Sequence, residues 1–128
     1  MHFKNQTPNL MVEDVNRTID FYKDILGFQV ITTVPETGTF VWAMLGRNDV
    51  TMMFQARQSL GEEIPTLKER PIGASLTLYT DIEGIDELYA SLQGKVKIVQ
   101  DMHITFYHAR EFAIEDCNGY VITFSESA

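Results

Sequence analysis

Few side chains in this sequence are equipped for chemistry. Cys117 is the single cysteine, which excludes an internal disulfide and a cluster of metal-binding thiolates. It lies in Asp116-Cys117-Asn118-Gly119, a string of turn-forming residues. A nucleophilic thiolate needs a cation or a helix N-terminus beside it, and Asp116 is neither. His103 and His108, the histidines beyond the N-terminal tail, flank a run that holds Phe106 and Tyr107. Imidazoles can ligate a metal, but no third ligand stands near this pair. They read as a loop before a strand, and Tyr107 and His108 are candidates to touch a ligand from it. Glu111 could act as a base if an apolar site raised its pKa. Trp42, the only tryptophan, packs in the core or lines a groove. Met44, Met52 and Met53, with Met11, are the adaptable kind of side chain that fills a core or forms a binding surface.

The elements that must position these residues occur twice. Leu10-Met11-Val12-Glu13-Asp14-Val15 closes an apolar alternation and runs into a helical one, and Thr80-Asp81-Ile82-Glu83-Gly84-Ile85 repeats this seventy positions later. Val15, Ile19, Tyr22 and Leu26 form a helical stripe, with Asp14 as N-cap and Gly27 as the stop. Ile85, Leu88, Tyr89 and Leu92 form the second stripe, which Gly94 ends. Three β-rich runs follow each helix: Phe28 to Val34, Phe40 to Leu45 and Val50 to Gln55, then Val96 to Asp101, Arg110 to Glu115 and Tyr120 to Ser125. The fold class is therefore α+β, two βαβββ half-repeats at about 5–55 and 72–126. Between them, 56–71 is charged, holds two prolines and reads as a surface connector.

Composition narrows the partners. At 128 residues, 45% hydrophobic, the chain suits one domain with its own core. Ten basic against eighteen acidic residues give a net charge of −8. That disfavours nucleic acid, whose binding requires phosphate neutralisation, and disfavours an anionic membrane. It permits a cationic small ligand through long-range attraction, and its simpler reading is solubility. The apolar runs are too short to span a bilayer, and residues 1–6 do not resemble a secretory signal, so a cytoplasmic location is expected.

Two segments carry a specific resemblance. Asn9-Leu10-Met11-Val12-Glu13-Asp14 followed by Phe21-Tyr22-Lys23-Asp24-Ile25-Leu26-Gly27-Phe28 resembles the opening signature of the vicinal oxygen chelate superfamily, the glyoxalase, bleomycin-resistance and ring-cleaving dioxygenase group. Arg110 to Tyr120 resembles its closing hairpin. The resemblance implies curled mixed sheets with the helices outside, cups that pair around a groove, and a homodimer. It also implies where a divalent metal would be held. Those positions are Thr7, Thr77, Thr123 and, with less certain register, Thr51. Hydroxyls are weak, uncharged donors compared with His, Glu or Gln, so no metal or other cofactor is expected.

Period-2 alternation places Asn9 and Met11 on the face of Thr7, and Met53 and Gln55 on that of Thr51. Tyr79 and Asp81 likewise accompany Thr77, and Val121 and Ser125 accompany Thr123. Glu111 and Ala113 should face the groove while Phe112 and Ile114 face the helix. The layout is similar to the metal-free bleomycin-resistance branch, which implies binding of a small organic molecule, cationic or aromatic, such as an antibiotic. Two alternatives stand beside it. One is a glyoxalase-like lyase, isomerase or dioxygenase with displaced ligands or a Glu111 base. The other is an interaction module without a small-molecule role.

Overall fold

Asp14 starts the first helix. Its side chain accepts the Arg17 amide at 3.0 Å, and its carbonyl takes the Thr18 hydroxyl at 2.8 Å, which satisfies donors that a helix start otherwise leaves orphaned. Helix α1 (Val15–Asp24) buries Val15, Thr18, Ile19 and Tyr22. Gly27, at φ +71, then lets the chain turn out of the helix. The computed structural model describes residues Met1–Ala128 and shows the α+β order predicted by the repeat: strand, helix, three strands, twice. The backbone divides into two compact units, Met1–Arg70 and Pro71–Ala128. No helix is long and apolar enough to cross a membrane.

In the first unit, β1 (Asn9–Val12), β2 (Gln29–Val34), β3 (Trp42–Arg47) and β4 (Val50–Ala56) form a sheet in the order β1-β4-β3-β2. β1 and β4 run parallel, and the other pairings are antiparallel. One face packs on α1: Ala43, Leu45 and Phe54 are fully buried, and the Phe54 ring lies 4.8 Å from that of Tyr22. Alternation sends Trp42, Met44 and Gly46 to the opposite face, where they pair with Gln55, Met53 and Thr51.

The expected connector is more structured than its charge suggested. Residues Arg57–Glu63 form helix α2, followed by a short 3-10 turn at Pro65–Leu67. Leu60 is buried at 2% exposure. Arg57 pins the segment by donating to Glu13 and to the carbonyls of Lys68 and Arg70.

The second unit repeats the sheet with β5 (Thr77–Asp81), β6 (Lys97–Ile104), β7 (Ala109–Glu115) and β8 (Val121–Ser127), in the order β5-β8-β7-β6. Helix α3 (Ile85–Leu92) covers one face, where the Phe112 ring meets those of Tyr89 and Phe124 at 5.0 and 5.2 Å. Its start differs from that of α1. Gly84 has no side chain to cap with, and Glu126 on β8 accepts the Gly84 and Ile85 amides at 3.1 and 3.0 Å instead. β6 runs further than predicted, and two register shifts lie between Ile98 and His103. His103 thus belongs to a strand, opposite Glu111, rather than to the expected loop. A bulge adds a residue and bends the strand, which is how alternation is reset.

Candidate functional site

On the face of the second sheet away from α3, Glu111 is the one acidic side chain among the deeply buried residues of that face, at 5% exposure. β-Pairing sets Glu111 opposite Ser125 on β8 and His103 on β6, while Tyr79 of β5 pairs with Thr123. The hydroxyl of Tyr107, from the turn between β6 and β7, donates to Glu111 Oε2 at 2.5 Å. Tyr79 donates to the same oxygen and lies 3.0 Å from the Ser125 hydroxyl. The two phenol oxygens are 3.5 Å apart. A carboxylate can only accept, so each phenol proton points at it.

Burial pushes the Glu111 pKa upward, yet the bonds from Tyr107, Tyr79 and Ser125, with the nearby His103, outweigh burial and hold it below the ordinary glutamate value. Reciprocally, the carboxylate raises the Tyr107 pKa by accepting its proton in a hydrogen bond. The Asp101 carbonyl also only accepts, so His103 Nδ1, 2.8 Å away, carries a proton. Glu111 is thus an ionised anchor, and a poor general base at neutral pH. The base role considered from sequence required the opposite shift.

Strand pairing brings Thr77, Tyr79, Glu111, Thr123 and Ser125 onto one face, while His108, expected on a loop, stays apart from them. Thr77 and Thr123 bond to each other through their hydroxyls at 2.6 Å. His108 occupies the turn after Tyr107 with φ +63, is exposed, and engages the Ala128 amide and the Thr105 carbonyl through its backbone. No hydrogen bond joins its ring to the cluster.

In the first unit, the predicted Asn9, Trp42 and Met53 line an open hollow of about 460 Å³ together with Val34, Val41, Gln55, Ser59 and Glu63. Asn9 donates to Gln55 Oε1 at 2.9 Å, and Gln55 Nε2 donates to Ser59 and Glu63, each at 2.9 Å. Glu63 accepts, which fixes the orientation of both amides and leaves Asn9 Oδ1 buried without a partner. Trp42, whose register was open from sequence, pairs with Gln55 and Val34 and faces the hollow. Met11 pairs with Gln55 but is buried at 6% exposure outside the hollow's lining. Thr51 pairs with Gly46 at the other end of the face, and half-buried Thr7 precedes β1.

Sequence reasoning missed Ser59 and Glu63 because the connector was not read as a helix. Their i, i+4 spacing was the available signal. His103 was missed as a neighbour of Glu111 because only the bulges give it that register.

The four threonine positions do not fit a transition-metal centre. Thr77 and Thr123 offer neutral hydroxyls already bonded to each other, Thr7 and Thr51 add only further hydroxyls, and no three His, Cys, Asp or Glu side chains converge in a metal-holding group.

A family model described as the Glyoxalase/Bleomycin resistance protein/Dioxygenase superfamily matches residues 2–124. Among solved structures, a protein of unknown function from Agrobacterium tumefaciens str. C58 is 20% identical with a TM-score of 0.82, covering 100% of this chain and 97% of that one. A glyoxalase/bleomycin resistance protein/dioxygenase from Nocardioides is 18% identical with a TM-score of 0.79, covering 99% and 85%. A family enzyme from Burkholderia phytofirmans PsJN is 17% identical with a TM-score of 0.77, covering 94% and 95%. At these identities the likeness concerns fold alone. No curated protein matches the chain.

Proposed function

This chain belongs to the Glyoxalase/Bleomycin resistance protein/Dioxygenase superfamily, and from that premise we propose that it is a metal-independent binding protein for a small organic molecule, cationic or aromatic, such as an antibiotic. The observation that carries the reading is Glu111: a buried carboxylate, kept ionised by two phenols, on the same face as the paired Thr77 and Thr123 hydroxyls, where the family resemblance would place metal ligands. Such an arrangement offers fixed charge and aromatic surface, and it lacks a strong base. The Trp42 hollow supports the aromatic half of the reading, with an apolar wall and an amide-carboxylate rail suited to orienting a planar ligand. A homodimer and a cytoplasmic location belong to the same proposal.

Elemental analysis of undialysed protein tests it first, since a stoichiometric transition metal would sink metal independence. Thermal-shift screening then compares cationic aromatic antibiotics with thiol conjugates and catechols. A ligand at a hundred times its Kd should stabilise the fold by about 2.7 kcal/mol. Turnover of a thiol conjugate or catechol would favour the enzyme alternative instead.

A further inference from the structure

Arg57 pairs with Glu13, Lys97 with Glu115, and Arg110 with Asp86. These pairs sit at the surface. Glu111, the more deeply buried carboxylate, takes part in none of them. A buried charge is normally matched by an opposite one, and the chain brings only the His103 imidazole near it. The remaining neighbours are hydroxyls.

The hydroxyls restrict which cation suits the site. A carboxylate oxygen has two lone pairs. On Glu111 Oε2 both are occupied, one by Tyr107 and one by Tyr79; the Ser125 hydroxyl adds a further bond to the carboxylate, and at 5% exposure little of Glu111 is open to a donor from outside. An N–H donor would have to displace a phenol from a charged acceptor to reach that oxygen. A cation without N–H needs no lone pair. It can rest against aromatic faces within the field of the carboxylate, as quaternary ammonium groups do in aromatic cages. Tyr79 and Tyr107 are 53% and 49% exposed although their hydroxyls are engaged, which leaves aromatic surface accessible beside the carboxylate. Phe106 abuts Tyr107 edge-on at 4.9 Å and extends the aromatic surface. Donating a proton toward an anion also enriches each ring in electron density, which strengthens its attraction for a cation.

We propose that Glu111, Tyr79 and Tyr107 form a site for an organic cation whose charged centre lacks N–H, a quaternary ammonium head group, in preference to a primary ammonium. The proposal rests on the small-molecule-binding reading and names its ligand class.

The test is calorimetric titration of the full chain with choline, with its primary-amine counterpart ethanolammonium, and with the neutral isostere in which tert-butyl replaces trimethylammonium. Choline should bind roughly tenfold tighter than either, the range a desolvated cation–π contact supports. Glu111→Gln, nearly isosteric, should remove most of that advantage. Tyr107→Phe keeps the ring but frees one lone pair of Oε2, so it should raise ethanolammonium affinity relative to choline; a merely structural tyrosine would not shift this ratio. Circular dichroism confirms that each variant is folded. Equal binding of the isostere would overturn the proposal, as would ethanolammonium binding as tightly as choline. If none of the three binds while an aromatic antibiotic does, the quaternary-cation site falls and the broader reading stands. If no organic ligand binds, or the protein carries a stoichiometric metal, both fall.

Discussion

Replacing Glu111 by Gln changes a charge while nearly preserving shape, so its effect on stability can be worked from the structure. Two phenol protons bond to one carboxylate oxygen on a side chain that is 5% exposed. A hydrogen bond to a charged acceptor contributes about 1.5–3 kcal/mol and a neutral one about 0.5–1.5 kcal/mol. Two bonds weakened in this way lose about 2–3 kcal/mol, and relief of the buried charge returns part of it. The net expectation is a loss of about 1–2 kcal/mol at neutral pH. The pH dependence is the sharper half. The folded Glu111 carboxyl lies below the ordinary 4.5, because hydrogen bonds and His103 overcome burial. Its contribution is therefore fully present above about pH 4.5 and lost as pH falls through the folded pKa. The deficit of Glu111→Gln should be constant from neutral pH down to that point and then shrink. Urea unfolding across this range measures it, with the slope of the transition checked for constancy. A deficit that persists unchanged in acid, or grows, would refute the account of Glu111 as an ionised, phenol-held carboxylate.

Further outcomes are expected elsewhere. Tyr107 and Tyr89 both have raised pKa values, first because of their hydrogen bonds to Glu111 and Asp101. The stability these hydrogen bonds confer should be present below about pH 10 and lost as pH rises through the raised folded values; Tyr107→Phe should reduce that alkaline loss in urea unfolding. Glu126→Ala removes the acceptor for two amides at the start of α3, which should cost about 1–2 kcal/mol in denaturant unfolding. Gly73 has φ +86, and a Cβ there would lie 2.9 Å from the Asn118 carbonyl oxygen; Gly73→Ala should therefore lower stability by more than about 1 kcal/mol. Trp42, the single tryptophan, lines the hollow of the first unit. An aromatic ligand seated there should quench its fluorescence, and unchanged emission at saturation would place the ligand elsewhere.

How far the sequence reached can be seen residue by residue. The helix stripes, the Asp14 cap and the alternation that sets Phe112 toward α3 and Glu111 away from it are local consequences of backbone period, and they were readable as written. The connector was misjudged because its charges are carried by a helix whose single buried side chain, Leu60, leaves a weak apolar pattern.

Glu111 marks the boundary between the two kinds of knowledge. Sequence alone placed it as a carboxyl on the side of a strand away from the helix, and left its protonation open. Burial by itself would raise its pKa and make it a base. The fold brings Tyr79 from thirty-two residues away, Tyr107 from the adjoining turn, and His103 through two bulges in β6, and together they hold the carboxyl ionised. Backbone periodicity is a local property and is written in the chain. The electrostatic state of a buried group depends on which side chains converge on it, and that convergence exists only once the strands have paired.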